Sequence, residues 1–257
     1  MSTLSGLISA GGGGALPQIA LTQSQTWVPP QDGNICIHVI GAGGAGFTRA
    51  SGSAESGGAG GYCKKNSLAV TTSGSYTVVV GVGGPRTQNG ATTTNGGNST
   101  VAGTGLSATL TANGGIAGVN GTSGAGGSAA NGDVNNTGGA GTANGGGGAV
   151  GVYGTGAAGV YLMGGGQSDA AADGIGLSGF GQITGGRAGG YATNVPLTQP
   201  AGALSGGAIS YVLQNIRALG GDGGIGGGGG SANAPTVSYC TAGAGGDGIV
   251  LIQYLPS

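Results

Sequence analysis

Glycine is the feature of this sequence that most limits what it can fold into. It occurs 70 times in 257 residues and stands in unbroken blocks such as Gly145–Gly148 and Gly226–Gly230. Because glycine has no side chain to bury and loses the most backbone entropy on ordering, these stretches cannot build a conventional hydrophobic core. They are therefore either disordered, or ordered because another segment of chain satisfies their backbone groups.

The small number of charged residues favours order. They make up 5% of the sequence, with a net charge of -1, whereas disordered segments normally carry a high net charge. Lys64-Lys65 is the only basic pair, so no positive surface is expected that could neutralise the phosphates of a nucleic acid. We expect an ordered chain that does not bind nucleic acid.

Strand patterns are confined to the first third of the chain and to its last residues. Ile35–Ile40 is apolar on both alternating faces, as in a central strand, and Ile249–Tyr254 has the same character. Leu68–Thr71 and Tyr76–Val82 read as a hairpin around Thr72–Ser75. Since a sheet needs several strands to be stable, the first third and the C-terminal strand are expected to fold together.

The region between Val101 and Asp247 is dominated by small residues and by recurring Gly-Gly pairs. Such runs suit the polyproline-II type of helix, in which neighbouring segments can pair their backbone groups. The absence of a strict Gly-X-Y repeat excludes collagen. Apolar residues within Ala208–Leu219 follow helical spacing and Gly220 could end a helix, so this segment is either a short packing helix or a binding loop.

These patterns predict a mainly β protein. We expect a small β-sandwich from residues 17–111 plus 246–257, formed by the first third and the C-terminal strand. A long glycine-rich insertion, residues 112–245, is expected to be a polyglycine-II helix bundle with loops at its distal end. Residues 1–16 are expected to serve as an attachment arm.

One motif suggests a nucleotide cofactor, but its surroundings argue against it. Gly41–Gly46 spells G-x-G-x-x-G after a hydrophobic strand, which is the dinucleotide-binding fingerprint. That fingerprint requires a following helix, and Phe47–Gly61 has no apolar helical period. No acidic residue stands where the ribose ligand belongs. We expect no cofactor.

Catalytic and metal-binding clusters are not apparent either. His38 is the only histidine, and its position in a strand indicates a packed or hydrogen-bonded residue. Cys36, Cys63 and Cys240 lack the spacing of a metal site and are an odd number for a disulfide framework, so we expect small packed residues. Asp169 and Asp173 lack the alternating oxygens of a calcium loop. The chain is expected to bind no metal and not to be an enzyme.

The order of several short motifs resembles the glycine-rich tail-fibre and tail-tip domains of phages. The motifs are Trp27-Val28-Pro29-Pro30, Val39–Gly44, Gly60-Gly61-Tyr62, Ser75–Gly84 and Gly245–Tyr254. The glycine-rich part is also similar to the polyglycine-II sandwich of T-even-type tail-fibre adhesins, which carry receptor-binding loops at the distal end. The N-terminal region does not resemble the T-even attachment domain.

This resemblance implies a structural and host receptor-binding protein of a virion. Its expected partners are other phage tail or fibre proteins and a host cell-surface glycan or outer-membrane protein. It would be a homotrimer, or a monomer on a trimeric fibre. Met1–Ala10 lacks the basic start of a signal peptide, so synthesis in the host cytoplasm is expected. The alternatives are a virion tip or cap without receptor contact and a polyglycine-II ice-binding protein, although the clumped Thr92–Thr94 does not make a regular ice-binding face.

Receptor recognition would have to use the few large side chains that interrupt the glycine pattern. Tyrosine offers broad contact area with few rotatable bonds, and its hydroxyl can bind a polar ligand. Filling gaps between glycine segments is the alternative role for each of these tyrosines. The receptor-binding candidates are Tyr153, Tyr161, Arg187, Tyr191, Asn194, Gln199, Tyr211 and Tyr239.

Overall fold

The computed structural model describes residues 18–49, 54–143, 145–150, 154–159, 210–211, 218–233 and 240–256. Its strands are β1 Gln18–Leu21, β2 Gln25–Trp27, β3 Gly33–Ile40, β4 Thr48–Arg49, β5 Tyr62–Val70, β6 Tyr76–Val79, β7 Ser99–Gly103, β8 Leu110–Ala112, β9 Ala129–Ala130, β10 Val134–Asn136, β11 Ser210–Tyr211, β12 Ala218–Leu219, β13 Ala232–Asn233, β14 Cys240–Thr241 and β15 Ile249–Tyr254. No helix among these residues is long and apolar enough to cross a membrane.

Two antiparallel five-stranded sheets form the hydrophobic part of the molecule. Sheet A has the order β1-β15-β3-β5-β10, and sheet B has the order β2-β6-β7-β8-β9. In sheet A the C-terminal strand lies between β1 and β3, with Val250 opposite Val39. The prediction that the first third and the C-terminal strand fold together is therefore confirmed.

The core lies between the inner faces of the two sheets. Ile37, Val39 and Ile252 of sheet A pack in one buried cluster with Tyr76 and Leu110 of sheet B. The alternation of buried and exposed residues in β6 places Tyr76 and Val78 inward. Burial of this apolar surface is the main stabilising contribution that side chains can make in this chain.

The predicted hairpin of Leu68–Thr71 and Tyr76–Val82 is wrong. β5 belongs to sheet A and β6 to sheet B, so the turn between them carries the chain from one sheet to the other. The reason is that Val70 and Tyr76 both belong to the shared core, which they reach from opposite sheets. Val82 follows Gly81 beyond the end of β6 and is 72% exposed.

The glycine-rich segments continue the strands and hydrogen-bond to one another through their backbones. Next to sheet A, Gly44 N donates to Gly58 O at 2.9 Å. Next to sheet B, Gly96 N donates to Gly115 O at 2.9 Å. Across the two sets, Gly115 N donates to Ala42 O at 2.8 Å. The prediction that backbone groups pair between segments is confirmed for the described residues.

Glycine is required here because carbonyl groups lie where a side chain would stand. A Cβ atom at Gly43 would lie 1.9 Å from Gly227 O, and one at Gly114 would lie 1.9 Å from Gly96 O. Such distances are far shorter than any real Cβ contact. Backbone hydrogen bonds between close segments thus take the place of side-chain packing.

The predicted polyglycine-II helix bundle is wrong. The described part of the chain is mainly β, with two antiparallel sheets and no helix. Moreover, two strands of the sheets lie within residues 112–245. β9 (Ala129–Ala130) pairs with β8, and β10 (Val134–Asn136) pairs with β5. The insertion therefore contributes strands to both sheets and is not a separate bundle.

Of the two alternatives for Ala208–Leu219, the packing helix is wrong at both described ends of the segment. Ser210–Tyr211 and Ala218–Leu219 are short strands that pair in parallel with β13 and β14. A parallel strand pair satisfies the backbone through a neighbouring segment and needs no helical turn. Residues 212–217 lie outside the described residues.

Candidate binding end of the glycine-rich region

The glycine-rich segments run away from the sheets and return to them. Gly41–Gly46 continues outward from β3, and 54–61 leads back into β5. Segments 113–118 and 123–128 connect β8 to β9 in the same way. We call the turning points, at the side remote from sheets A and B, the distal end.

Residues from separate segments meet at the distal end. Phe47 N donates to Glu55 O at 2.7 Å, and Thr87 Oγ1 donates to Gly46 O at 2.8 Å. Asn89 is held twice by Cys240, because its N–H donates to Cys240 O and its Oδ1 accepts from Cys240 N, each at 3.1 Å. The connections of the distal end are therefore fixed to one another by specific hydrogen bonds.

Short parallel strands also gather there. β13 lies between β11 and β4, and β12 pairs with β14. The register places Ala232 opposite both Thr48 and Ser210. These strand pairs therefore bring together, at the distal end, segments that are far apart along the chain.

The distal end contains buried polar side chains. The carboxylate of Glu55, a 6% exposed residue, accepts a hydrogen bond from Ser123 Oγ. Thr48 and Thr87 are buried, and Thr48 Oγ1 accepts from Gly90 N at 2.8 Å. Bonded hydroxyls of this kind order the backbone of loops. They give the described residues of the distal end a fixed framework.

Side-chain oxygens bind glycine-segment N–H groups that lack a carbonyl partner. Asp222 Oδ1 accepts from Ala244 N at 2.8 Å, and its other oxygen forms an ion pair with Arg86. Asp247 Oδ1 accepts from Gly83 N at 2.7 Å. Asn95 and Asn98 do the same for Ala117 N and Gly114 N. Nothing in the sequence singled out these residues for this role, because each of them also resembles an ordinary turn residue.

The chain is similar to a known protein family over nearly its whole length. A sequence model of the glycine-rich domain family matches residues 19–255. The chain belongs to the glycine-rich domain family. Among curated proteins, none matches the chain significantly. The match includes both sheets and the glycine-rich segments, so these parts together correspond to one glycine-rich domain.

Most receptor-binding candidates of this glycine-rich domain fall outside the described residues. This applies to Tyr153, Tyr161, Arg187, Tyr191, Asn194, Gln199 and Tyr239. The backbone of Tyr211 lies in β11, opposite Asn233. The assignment of these side chains to a receptor site remains a prediction.

The described residues on either side of these candidates show where the segments that contain them begin and end. Gly159 N donates to Ala140 O at 3.0 Å, close to the turn at Thr142, and Ser210 lies in β11. Residues 160–209 are thus flanked on both sides by the distal end. Val150, next to the segment that contains Tyr153, packs instead with Ile40 beside sheet A.

Gly41–Gly46 has a structural role. It is followed by β4 and not by the helix that a dinucleotide site needs. A Cβ at Gly46 would lie 2.3 Å from Gly230 O, so the glycines admit neighbouring backbone. Among the described residues no group of three or more His, Cys, Asp or Glu is arranged to hold a metal ion. Asp169 and Asp173 lie outside these residues.

His38 lies in a buried polar cluster on the outer face of sheet A. Its Nδ1 is 2.6 Å from Tyr62 Oη and its Nε2 is 3.4 Å from Cys36 Sγ. Burial, with a smaller contribution from the charge of Lys64, lowers the pKa of His38 to about 4, and burial raises the pKa of Cys36. Both groups are therefore neutral at pH 7. All three cysteines are buried, as predicted from the sequence.

The neutral state of His38 predicts a loss of stability in mild acid. Above pH 6.5 the ring is neutral in both the folded and the unfolded chain. As the pH falls below that value, the unfolded chain takes up a proton that the folded chain rejects until about pH 4. The free energy of unfolding should therefore fall by about 2 kcal/mol between pH 7 and pH 5, as measured by urea denaturation.

The matched variant for this test is His38→Gln, which cannot titrate. Its free energy of unfolding should change little over the same pH interval. Asp133 does not affect the stability over this pH interval. A hydrogen bond from Lys65 is the main cause that lowers its pKa below the ordinary value of 3.8, so its effect on stability appears only at lower pH. Equal losses in the wild type and in His38→Gln would show that another group is responsible.

Proposed function

We propose that this glycine-rich domain is a structural protein of a phage tail fibre or tail tip, and that it binds a host receptor through its distal end. The observation that carries the proposal is the convergence of connections at that end. The chain segments flanked by Arg49 and Ala54, by Gly159 and Ser210, and by Asn233 and Cys240 all begin and finish there. Binding residues commonly lie on loops that a rigid scaffold positions.

The construction of the scaffold supports this division of roles. Side chains are almost absent from the glycine segments, so the scaffold itself offers few groups that could discriminate between ligands. Residues 87–132 contain no charged side chain. Large and polar side chains are concentrated instead in the connections, where Arg187, Tyr191 and Gln199 occur. Recognition of a receptor would therefore depend on these connections.

The order of the sequence motifs supports a virion location. The Trp27–Pro30 entry, the glycine-rich continuation of β3 and the closing strand β15 occur in the order seen in the phage tail-fibre domains that the chain resembles. Sheets A and B would face the fibre, and the distal end would face the host. The partners would be other tail or fibre proteins and a surface glycan or outer-membrane protein of the host.

Binding of the purified protein to cells tests the proposal. A fluorescent derivative should bind a subset of bacterial strains, and excess unlabelled protein should displace it. The double variant Arg187→Ala/Tyr191→Ala should bind at least about tenfold more weakly, since a few aromatic and Arg residues usually carry most of the affinity. Thr77→Ala, on the exposed face of sheet B, is the matched control and should bind like the wild type.

The outcomes separate receptor binding from a purely structural role. Far-UV circular dichroism identical to that of the wild type would show that the double variant is folded. If the double variant is folded and binds as tightly as the wild type, these two residues do not belong to the site. No binding of the wild type to any strain, glycan extract or outer-membrane extract, together with its presence in particles, would favour a tip or cap without receptor contact.

A further inference from the structure

Asn-Gly pairs are a recurring feature of the sequence that the proposed function does not use. Six occur, at positions 89, 95, 113, 120, 131 and 144 for the asparagine. In such a pair the backbone nitrogen of glycine can attack the asparagine side-chain amide, because glycine has no Cβ to hinder the approach. We propose that the fold protects the other described pairs and leaves Asn120-Gly121 as a site of spontaneous deamidation at the distal end.

Protection arises because attack requires a free glycine N–H. In the other four pairs that the structure describes completely, this group is engaged in a hydrogen bond. The acceptors are Thr48 Oγ1 for Gly90 (2.8 Å), Gly115 O for Gly96 (2.9 Å), Asn98 Oδ1 for Gly114 (2.9 Å) and Asn135 Oδ1 for Gly132 (3.0 Å). Each of these bonds must break before the nitrogen can attack.

The side-chain amides of these four asparagines are engaged as well. Asn89 and Asn95 accept hydrogen bonds from Cys240 N and Ala117 N, at 3.1 and 2.8 Å. Asn113 donates to Ser128 Oγ at 2.9 Å, and Asn131 donates to Thr109 O at 2.9 Å. Rotation of the amide toward the following nitrogen would cost these bonds.

Asn120-Gly121 differs from these four pairs in its hydrogen bonding. Both residues are exposed and form the tip of the turn between Val119 and Thr122, whose backbones exchange two hydrogen bonds of 2.9 Å. Within the described residues, neither the side chain of Asn120 nor the N–H of Gly121 has a hydrogen-bond partner. No atom lies within 4 Å of the position that a Cβ of Gly121 would occupy, so a ring has room to form.

The reaction needs only water. The Gly121 nitrogen forms a bond to Cγ of Asn120 and gives up its proton, and the C–N bond to Nδ2 breaks, so that the amide nitrogen leaves as ammonia carrying that proton. Water then opens the resulting succinimide at either carbonyl, which gives aspartate or isoaspartate. The product carries a carboxylate in place of an amide and shifts the net charge from -1 to -2. That charge would stand within a stretch, residues 87–132, that has none.

Peptide mapping of the aged protein tests the proposal. The native protein is incubated at 37 °C and at mildly alkaline pH, and the conversion of Asn to Asp or isoAsp is followed by mass spectrometry. Conversion at Asn120 should be at least about tenfold faster than at positions 89, 95, 113 and 131, since those sites must first lose hydrogen bonds. The same protein in concentrated urea should convert all five at rates within a few-fold of one another.

A variant and an independent assay complete the test. Asn120→Gln should abolish the dominant acidic form on ion-exchange chromatography, because a longer side chain cyclises far more slowly. Isoaspartyl methyltransferase labelling should mark wild-type protein and not this variant. Equal rates at Asn120 and the four bonded sites in the native state, or no conversion at Asn120 while the urea sample converts, would overturn the proposal.

Discussion

Valine at Gly228 is expected to prevent the protein from folding cooperatively. A Cβ at this position would lie 2.0 Å from Gly57 O and 2.6 Å from the Gly57 carbonyl carbon. Gly57 cannot move aside easily, because its own N–H donates to Gly229 O at 2.9 Å and Gly147 N donates to its carbonyl at 2.9 Å. We expect a loss of more than about 4 kcal/mol in the free energy of unfolding.

Gly154→Ala is the matched control for this substitution. Nothing lies within 4 Å of a Cβ at Gly154, and its backbone is not in the left-handed region. Alanine there should change the free energy of unfolding by less than about 1 kcal/mol. Any change should be stabilising, because alanine reduces the conformational entropy of the unfolded chain. Urea denaturation followed by circular dichroism measures both variants. A Gly228→Val protein with the midpoint of the wild type would show that the segments of Gly57 and Gly228 are not packed as described.

Much of sheet A could be predicted from the sequence. Ile35–Ile40 and Ile249–Tyr254 are apolar on both faces, and both are buried on both faces in the structure. Side-chain pattern is informative in such strands because each residue must match a packing environment. The pairing of these two strands then follows from the need to bury both.

The partners of the glycine segments could not be predicted, for a physical reason. A glycine backbone offers the same donor and acceptor at every position, so the sequence alone does not say which segment lies beside which. The few side chains that fix the alignment are acceptors such as Asn95, Asn98 and Asp247, and each of them also resembles an ordinary turn residue. Strands of two or three residues, such as β9 and β10, are too short to show a period.

The candidate site was predicted only as a set of residue types. The candidates are tyrosines, one arginine, one asparagine and one glutamine that interrupt the glycine pattern, and residue type alone does not group them in space. The convergence of connections at the distal end depends on the alternation of outward and returning segments, which becomes visible once β3, β8 and β15 are located. Residue type alone does not predict which tyrosines belong to the site. Tyr153 was a candidate, yet its described neighbour Val150 packs beside sheet A, away from the distal end.

Slow hydrogen exchange of glycine amides is the second expected result, and its size should be large. Gly43, Gly58 and Gly228 donate to Gly246 O, Ile116 O and Gly147 O at 2.8–2.9 Å. Because these bonds link segments that are continuous with both sheets, their amides should open only with the whole fold. Their exchange should therefore be at least about a thousandfold slower than in an unfolded chain.

Amide-resolved exchange by NMR or mass spectrometry is the most direct measurement of the central claim, that backbone hydrogen bonds between glycine segments hold this domain together. We expect Gly43, Gly58 and Gly228 to be protected as strongly as the amides of β3, whereas Gly121, which has no partner among the described residues, should exchange rapidly. Exchange of Gly43, Gly58 and Gly228 at the rate of Gly121, with β3 still protected, would show that these backbone hydrogen bonds do not hold the domain together.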